Sequence, residues 1–253
     1  MKHPSHHARV TPDKIAYQMA GSGERLTFAE LDAATNRAAN AFRSLAVGTG
    51  DHIALMMENR LDLLVLAWAA QRSGLIFTLV SRYLTADEAA YIVADCGAKV
   101  FVTSHQYVDV SSEIRSRIET PPACMMVGGT TAGFESWERL AETMPATPVA
   151  DESAGSAMLY SSGTTGHPKG IVRRFATGGI EYANPIVGPV FEDLAGFTGE
   201  SVYLSPAPLY HSAPLSGAMV AAANGATTIV LERFTEETFL GAVQDHAITH
   251  TQV

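Results

Sequence analysis

Capped helical segments alternate with short apolar runs from Leu26 to Val127, and this alternation limits the fold more than any other feature of the sequence. Thr27 and Glu30 form a Thr-x-x-Glu capping box. In such a box each side chain satisfies a free backbone N–H at a helix start. Leu31, Ala34, Ala38, Phe42 and Leu45 then fall on one helical face, and Gly48 follows as the expected stop. A second box, Thr85 to Glu88, opens a helix over Ala86–Asp95 that Gly97 closes. Each cap contributes about 1 kcal/mol. Between the helices lie apolar, β-rich runs at 52–57, 76–80, 100–103 and 124–127. Helical patterns at Leu61–Arg72, 111–118 and 134–143 interleave with them. Continuous apolar strands alternating with helices predict an α/β fold, its parallel, doubly wound sheets covered by helices on both faces. Strand order is not readable from the pattern.

A polar connector with two prolines, 145–154, marks an internal boundary. The expected division is a first α/β subdomain over 1–150 and a second over 151–253, incomplete at its C-terminus. The second reads as a strand at 157–161, a glycine-rich loop and an extended segment at 171–173. Strand Val202–Ser205, helix 216–223 ending at Gly225, strand 227–231 and helix Glu236–Asp245 follow. Residues 249–253 look like the opening of another strand, so the sequence is expected to stop inside a fold unit. An exposed sheet edge of that kind favours a homo-oligomer or a complementing C-terminal chain.

Composition removes several functional classes. The 253 residues are 47% hydrophobic and 17% charged, enough to bury a sizeable core. Seventeen Lys and Arg against 26 Asp and Glu leave a net charge of −9, which repels nucleic acid and anionic lipid. Any anionic ligand therefore needs a local concentration of positive charge. Cys96 and Cys124 make neither a disulfide framework nor a zinc site. His3, His6 and His7 fit no helix face and read as a solvated terminus rather than a metal site. The N-terminus lacks the apolar core of a signal peptide. The apolar stretch 61–70 carries Asp62 and is too short to span a bilayer. The expectation is a soluble, cytoplasmic protein.

The chemistry concentrates in Tyr160-Ser161-Ser162-Gly163-Thr164-Thr165-Gly166-His167-Pro168-Lys169-Gly170, directly after an apolar run. Gly163 and Gly166 let backbone approach an anion closely or adopt positive φ. Ser161, Ser162, Thr164 and Thr165 can donate hydrogen bonds to phosphate oxygens, Lys169 supplies a cation, and Pro168 stiffens the chain before it. Hydrogen bonds with a charged partner contribute roughly 1.5–3 kcal/mol each, so a few outweigh the repulsion from the net charge. The required positive charge is also here, in Lys169, Arg173 and Arg174 beside His167. The segment is not the loop of P-loop NTPases, because it lacks Gly-Lys followed by Ser or Thr. Composition alone leaves a flexible Ser/Thr/Gly linker as the alternative.

Ser161 to Gly170 closely resembles the phosphate loop of the adenylate-forming superfamily, which includes acyl-CoA synthetases, luciferases and the adenylation domains of peptide synthetases. Thr11-Pro12-Asp13-Lys14, Leu26-Thr27-Phe28-Ala29-Glu30-Leu31 and Leu84-Thr85-Ala86-Asp87-Glu88 resemble the family in the same order, as does Ala207-Pro208-Leu209-Tyr210-His211-Ser212-Ala213-Pro214. The last motif is most like fatty-acyl-CoA synthetases. The resemblance implies the N-terminal portion of a ligase that joins a carboxylic (fatty) acid to CoA through an acyl-adenylate, using ATP and Mg2+. It implies that Ser161, Ser162, Gly163, Thr164, Thr165, Gly166 and Lys169 hold the β- and γ-phosphates of ATP. His211 would stand at the carboxylate end of the acyl pocket, its plainer alternative being a helix-start or core histidine. Residues 218–223 would wall the acyl tunnel, or simply form core.

Two departures qualify the resemblance. Family members are about twice as long, and their later half carries the adenine-binding segment, an acidic magnesium residue, the ribose-binding aspartate and a mobile domain with its lysine. No catalytic residue is therefore assignable here, and the chain alone is expected to be inert. The Arg173-Arg174 pair also replaces a more usual Thr/Ser-His; it would contact a phosphate of ATP or CoA or simply face solvent, the default for surface arginines. The competing functions are an adenylating enzyme for an aryl or amino acid, and a truncated protein that binds without turnover.

Overall fold

The computed structural model describes residues 2–161, 168–172, 179–180 and 196–252. Two compact units result, one from the described residues of Met1–Thr35, Asn59–Trp68 and Glu181–Val253, the other from those of Asn36–Glu58 and Ala69–Ile180. These units cut across the boundary expected at residue 150.

The reason lies in the first unit's sheet. Strand β1 (Ile15–Met19) turns into β2 (Arg25–Thr27) as an antiparallel hairpin, then finds a parallel partner in β11 (Thr227–Val230), with Tyr17 opposite Thr228 and Met19 opposite Val230. Strands β10 (Val202–Ser205) and β12 (His250–Thr251) complete a five-stranded sheet in the order β12-β10-β11-β1-β2. The strand expected near the C-terminus is thus present, parallel to β10. Helix α7 (Ser212–Ala223) is buried from Gly217 to Ala223. The Ala218 carbonyl accepts a hydrogen bond from the Tyr17 hydroxyl at 3.2 Å, and that hydroxyl accepts one from Trp68 Nε1 at 2.8 Å. Leu204, Ile229 and Leu231 pack instead with Phe239 and Ala242 of α8 (Glu236–Asp245).

The second unit holds a seven-stranded sheet in the order β7-β6-β5-β3-β4-β8-β9. Its members are β3 (His52–Met56), β4 (Ile76–Leu79), β5 (Ala98–Ser104), β6 (Ala123–Val127), β7 (Glu135–Ser136), β8 (Ser156–Ser161) and β9 (Lys169–Val172). Every pairing is parallel except β8 with β9. Ala54, Met56, Phe101 and Met126 pack with Ala89, Ile92 and Val93 of α4 (Ala86–Asp95) and with Ile114 of α5 (Val108–Arg117). Ile53, Leu55, Val100 and Val102 alternate with them and are equally buried, which places them on the opposite face. Burial on both faces is why these strands read as unbroken apolar runs.

The connector 145–154 lies inside this unit. Asn36 donates to the Ala146 carbonyl, and Asn40 to those of Pro145 and Thr147, at 2.9–3.2 Å. Arg72, almost fully buried, pairs with Glu152 at 2.6 Å. Gly155 then passes so close to the end of the helix Leu61–Arg72 that a Cβ would stand 2.4 Å from the Ala70 carbonyl oxygen.

Both capping boxes form, with Thr27 N–H donating to Glu30 at 2.8 Å and Thr85 N–H to Glu88 at 2.9 Å. Helix α2 (Phe28–Ser44) ends before Gly48, because Ala46 takes the left-handed position at φ 58°. The pattern at 134–143 divides into the two-residue β7 and helix α6 (Trp137–Glu142), since Ser136 both pairs with Met126 and accepts the Arg139 N–H as N-cap. Leu61–Arg72 (α3) is as expected, and α5 and α7 start earlier than their patterns suggest. Among the described residues no helix is long and apolar enough to cross a membrane.

Candidate functional site

The glycine-rich segment joins two antiparallel strands at the edge of the seven-stranded sheet. Met158 pairs with Val172, Leu159 with Ile171, Tyr160 with Gly170, and Ser161 with Lys169. Ser161 and Lys169, the first and last of the expected phosphate ligands, are therefore direct neighbours across the hairpin. Ser162, Gly163, Thr164, Thr165 and Gly166 lie outside the described residues, as do His167, Arg173 and Arg174. Lys169 is exposed at the start of β9.

Local packing explains the glycine after the lysine. A Cβ on Gly170 would lie 2.0 Å from Met158 Cε and 3.0 Å from Tyr160 Cζ, so the methionine methyl and the tyrosine ring together occupy the space a side chain would need. Two residues that the sequence reading missed sit at this place. The Tyr160 hydroxyl donates to Asp95 Oδ2 at 2.6 Å, and the Tyr91 hydroxyl reaches the Pro168 carbonyl at 3.4 Å. Tyr91 also hydrogen-bonds Asp95, and burial together with this carboxylate pushes its phenol up. Burial, then the bond to Asp95, pushes the Tyr160 phenol up as well, so both hydroxyls stay protonated donors at neutral pH. The legible signal was the four-residue spacing of Tyr91 and Asp95, which puts both on one face of α4.

His211 belongs to the first compact unit and the hairpin to the second. It occupies the N-cap position of α7 in extended conformation, φ −80° and ψ 145°, but makes no side-chain capping hydrogen bond. Its exposed ring lies against that of Tyr210, centroids 4.1 Å apart. Residues 218–223 form core of the first unit. Among the described residues no group of three or more His, Cys, Asp or Glu side chains could hold a metal ion.

Residues 5–253 match the profile of the family described as AMP-binding enzyme. The chain belongs to that family. Among its relatives, the long-chain-fatty-acid–CoA ligase FadD13 of Mycobacterium tuberculosis is 29% identical over 90% of this chain and 44% of its own length. The crotonobetaine/carnitine–CoA ligase of Salmonella paratyphi A is 26% identical over 97% of this chain and 48% of its own. The chain thus spans less than half the length of either ligase. The inhibitor-bound N-terminal domain of FACL13 from M. tuberculosis shares the fold with a TM-score of 0.84 at 24% identity, over 99% of this chain and 62% of that one. O-succinylbenzoate CoA synthetase (MenE) of Bacillus subtilis, in complex with ATP and magnesium, matches with a TM-score of 0.78 at 21% identity, over 98% and 62%. The expected architecture is therefore the observed one, with antiparallel β2 and β9 at two sheet edges as the addition.

Proposed function

We propose that this chain supplies the ATP-phosphate-binding portion of an AMP-forming acyl-CoA ligase acting on a fatty acid. In the first reaction a carboxylate oxygen attacks the α-phosphorus of ATP, pyrophosphate leaves and an acyl-adenylate forms. The CoA sulfur then attacks the acyl carbon, the thiol proton is lost and AMP departs. A free carboxylate is a poor electrophile because it is anionic, whereas its mixed anhydride with AMP carries a good leaving group. The observation that carries the reading is the Ser161–Lys169 pairing, which supports a loop tied at both ends, with a cation at one of them. Ser161, Ser162, Gly163, Thr164, Thr165, Gly166 and Lys169 take the β- and γ-phosphates, and His211 the carboxylate end of the acyl pocket. Magnesium enters this reading as the ion carried by ATP. Family membership supports the adenylating chemistry, and the likeness to FadD13 supports a fatty acid over other carboxylates. Because the chain spans less than half of its relatives, the role assigned to it alone is phosphate binding rather than turnover.

Calorimetric titration with ATP and magnesium tests this on the chain and on Lys169→Ala. The variant is expected to bind about tenfold more weakly, the loss of one charge-assisted contact. Equal binding by both, or none by either, would overturn the assignment.

A further inference from the structure

The seven-stranded sheet ends in a two-stranded hairpin whose outer strand, β9, has only β8 as neighbour among the described residues. A strand of four residues held on one side opens easily unless something else holds it. The last turn of α4 does so. Asp95 accepts the hydroxyl of Tyr160 on β8 at 2.6 Å and is also hydrogen-bonded by Tyr91. Tyr91 in turn reaches the carbonyl of Pro168, immediately before β9, at 3.4 Å. A phenol has one proton, so Tyr91 serves Asp95 or Pro168 at any moment and not both. The Tyr160 ring covers Gly170 across the hairpin, which fixes β9 against the same tyrosine. Through Tyr160, bonded on β8 and packed over Gly170 of β9, one carboxylate is thereby connected to both strands that flank the glycine-rich loop.

We propose that Asp95 is a positioning residue for the phosphate loop, acting through Tyr160 to hold the two ends of the loop at the spacing that phosphate binding requires. The proposal rests on the assignment of that loop to ATP. Asp95 touches no substrate, and its contribution is the ordering of the hairpin before the nucleotide arrives, which lowers the entropic cost of binding.

Two measurements on the wild-type chain, Tyr160→Phe, Asp95→Ala and Asp95→Asn separate this from a merely structural role. Hydrogen exchange reads the hairpin directly. The amides of Lys169–Val172 are expected to exchange about tenfold faster in Asp95→Ala and Tyr160→Phe, while those of β3 and β5 stay unchanged. Calorimetry with ATP and magnesium is expected to show affinity about fivefold weaker in both variants, one hydrogen bond's worth. Asp95→Asn, whose amide oxygen still accepts from Tyr160, is expected to recover most of each loss. Unchanged β9 exchange, or acceleration spread equally over the sheet, overturns the proposal. So does faster β9 exchange with unaltered ATP affinity. If the wild-type chain binds no ATP, the loop assignment fails and Asp95 loses its positioning role with it, even where exchange shows the clamp itself intact.

Discussion

Ala46 occupies a conformation that an L-residue with a side chain enters only at a cost. Its φ of 58° follows the last turn of α2, where its own N–H donates to the Arg43 carbonyl and that of Val47 to Phe42, both at 3.0–3.1 Å. Left-handed backbone costs a residue with a Cβ roughly 1–2 kcal/mol, against a smaller entropic loss for glycine. Ala46→Gly should therefore raise the stability of the folded chain by about 0.5–1 kcal/mol, read as a higher urea midpoint at unchanged slope. A lower midpoint would show that the alanine methyl makes contacts outweighing its strain. The residue also shows where sequence reading stops. Gly48 advertises a helix end, yet the turn closes two residues earlier, because the hydrogen bonds of the final turn and not the nearest glycine decide where the chain reverses. The pairing of Asp95 with Tyr160 was equally hidden, since it depends on a sheet edge that no local pattern specifies.

At the level of elements the sequence is far more explicit. Helices Leu61–Arg72, Ala86–Asp95 and Glu236–Asp245 and strand Val202–Ser205 begin and end where caps, glycines and apolar runs place them. Pairing is the opposite case. The antiparallel turn of β9 back along β8 leaves no trace in composition, because both read as extended apolar chain. The two ends of the glycine-rich loop were thus legible as residues but not as partners. Polar ties between elements are similarly hidden. Tyr17 reads as one more aromatic in a strand, yet it joins β1 to α3 and α7 through Trp68 and the Ala218 carbonyl. Tyr17→Phe should cost about 1–3 kcal/mol, because the buried indole N–H loses its acceptor. Urea unfolding would measure this, and a neutral result would mean that Trp68 finds another partner.

Charge state enters at the scale of the whole chain. Burial, aided by His6, Lys14 and Lys2, holds the His7 imidazole below its ordinary value despite a hydrogen bond to the Ala223 carbonyl. Burial lowers His52 likewise, against the opposing charge of Asp51. A histidine whose folded value is depressed binds fewer protons than its unfolded counterpart. Its stabilising contribution is therefore complete above about pH 6.5 and lost as pH falls through the folded values. Stability should decline as pH falls below about 6.5, and His7→Gln should shrink that decline. A flat urea midpoint across this range would refute it. The carboxylates of Glu30 and Glu88, lowered by the backbone and side chain of Thr27 and Thr85, act only at more acidic pH.

The parallel pairing of Met19 with Val230 also sets a timetable. A ribosome adds roughly 5–20 residues each second, so the first strand emerges about ten to forty seconds before its partner exists. Over that interval the segments that build the seven-stranded sheet leave the exit tunnel in full. The nascent chain therefore closes its middle first and its beginning last, with an apolar strand kept waiting in between. Slow codons or a chaperone acting on the first thirty or so residues would change yield without altering the finished protein.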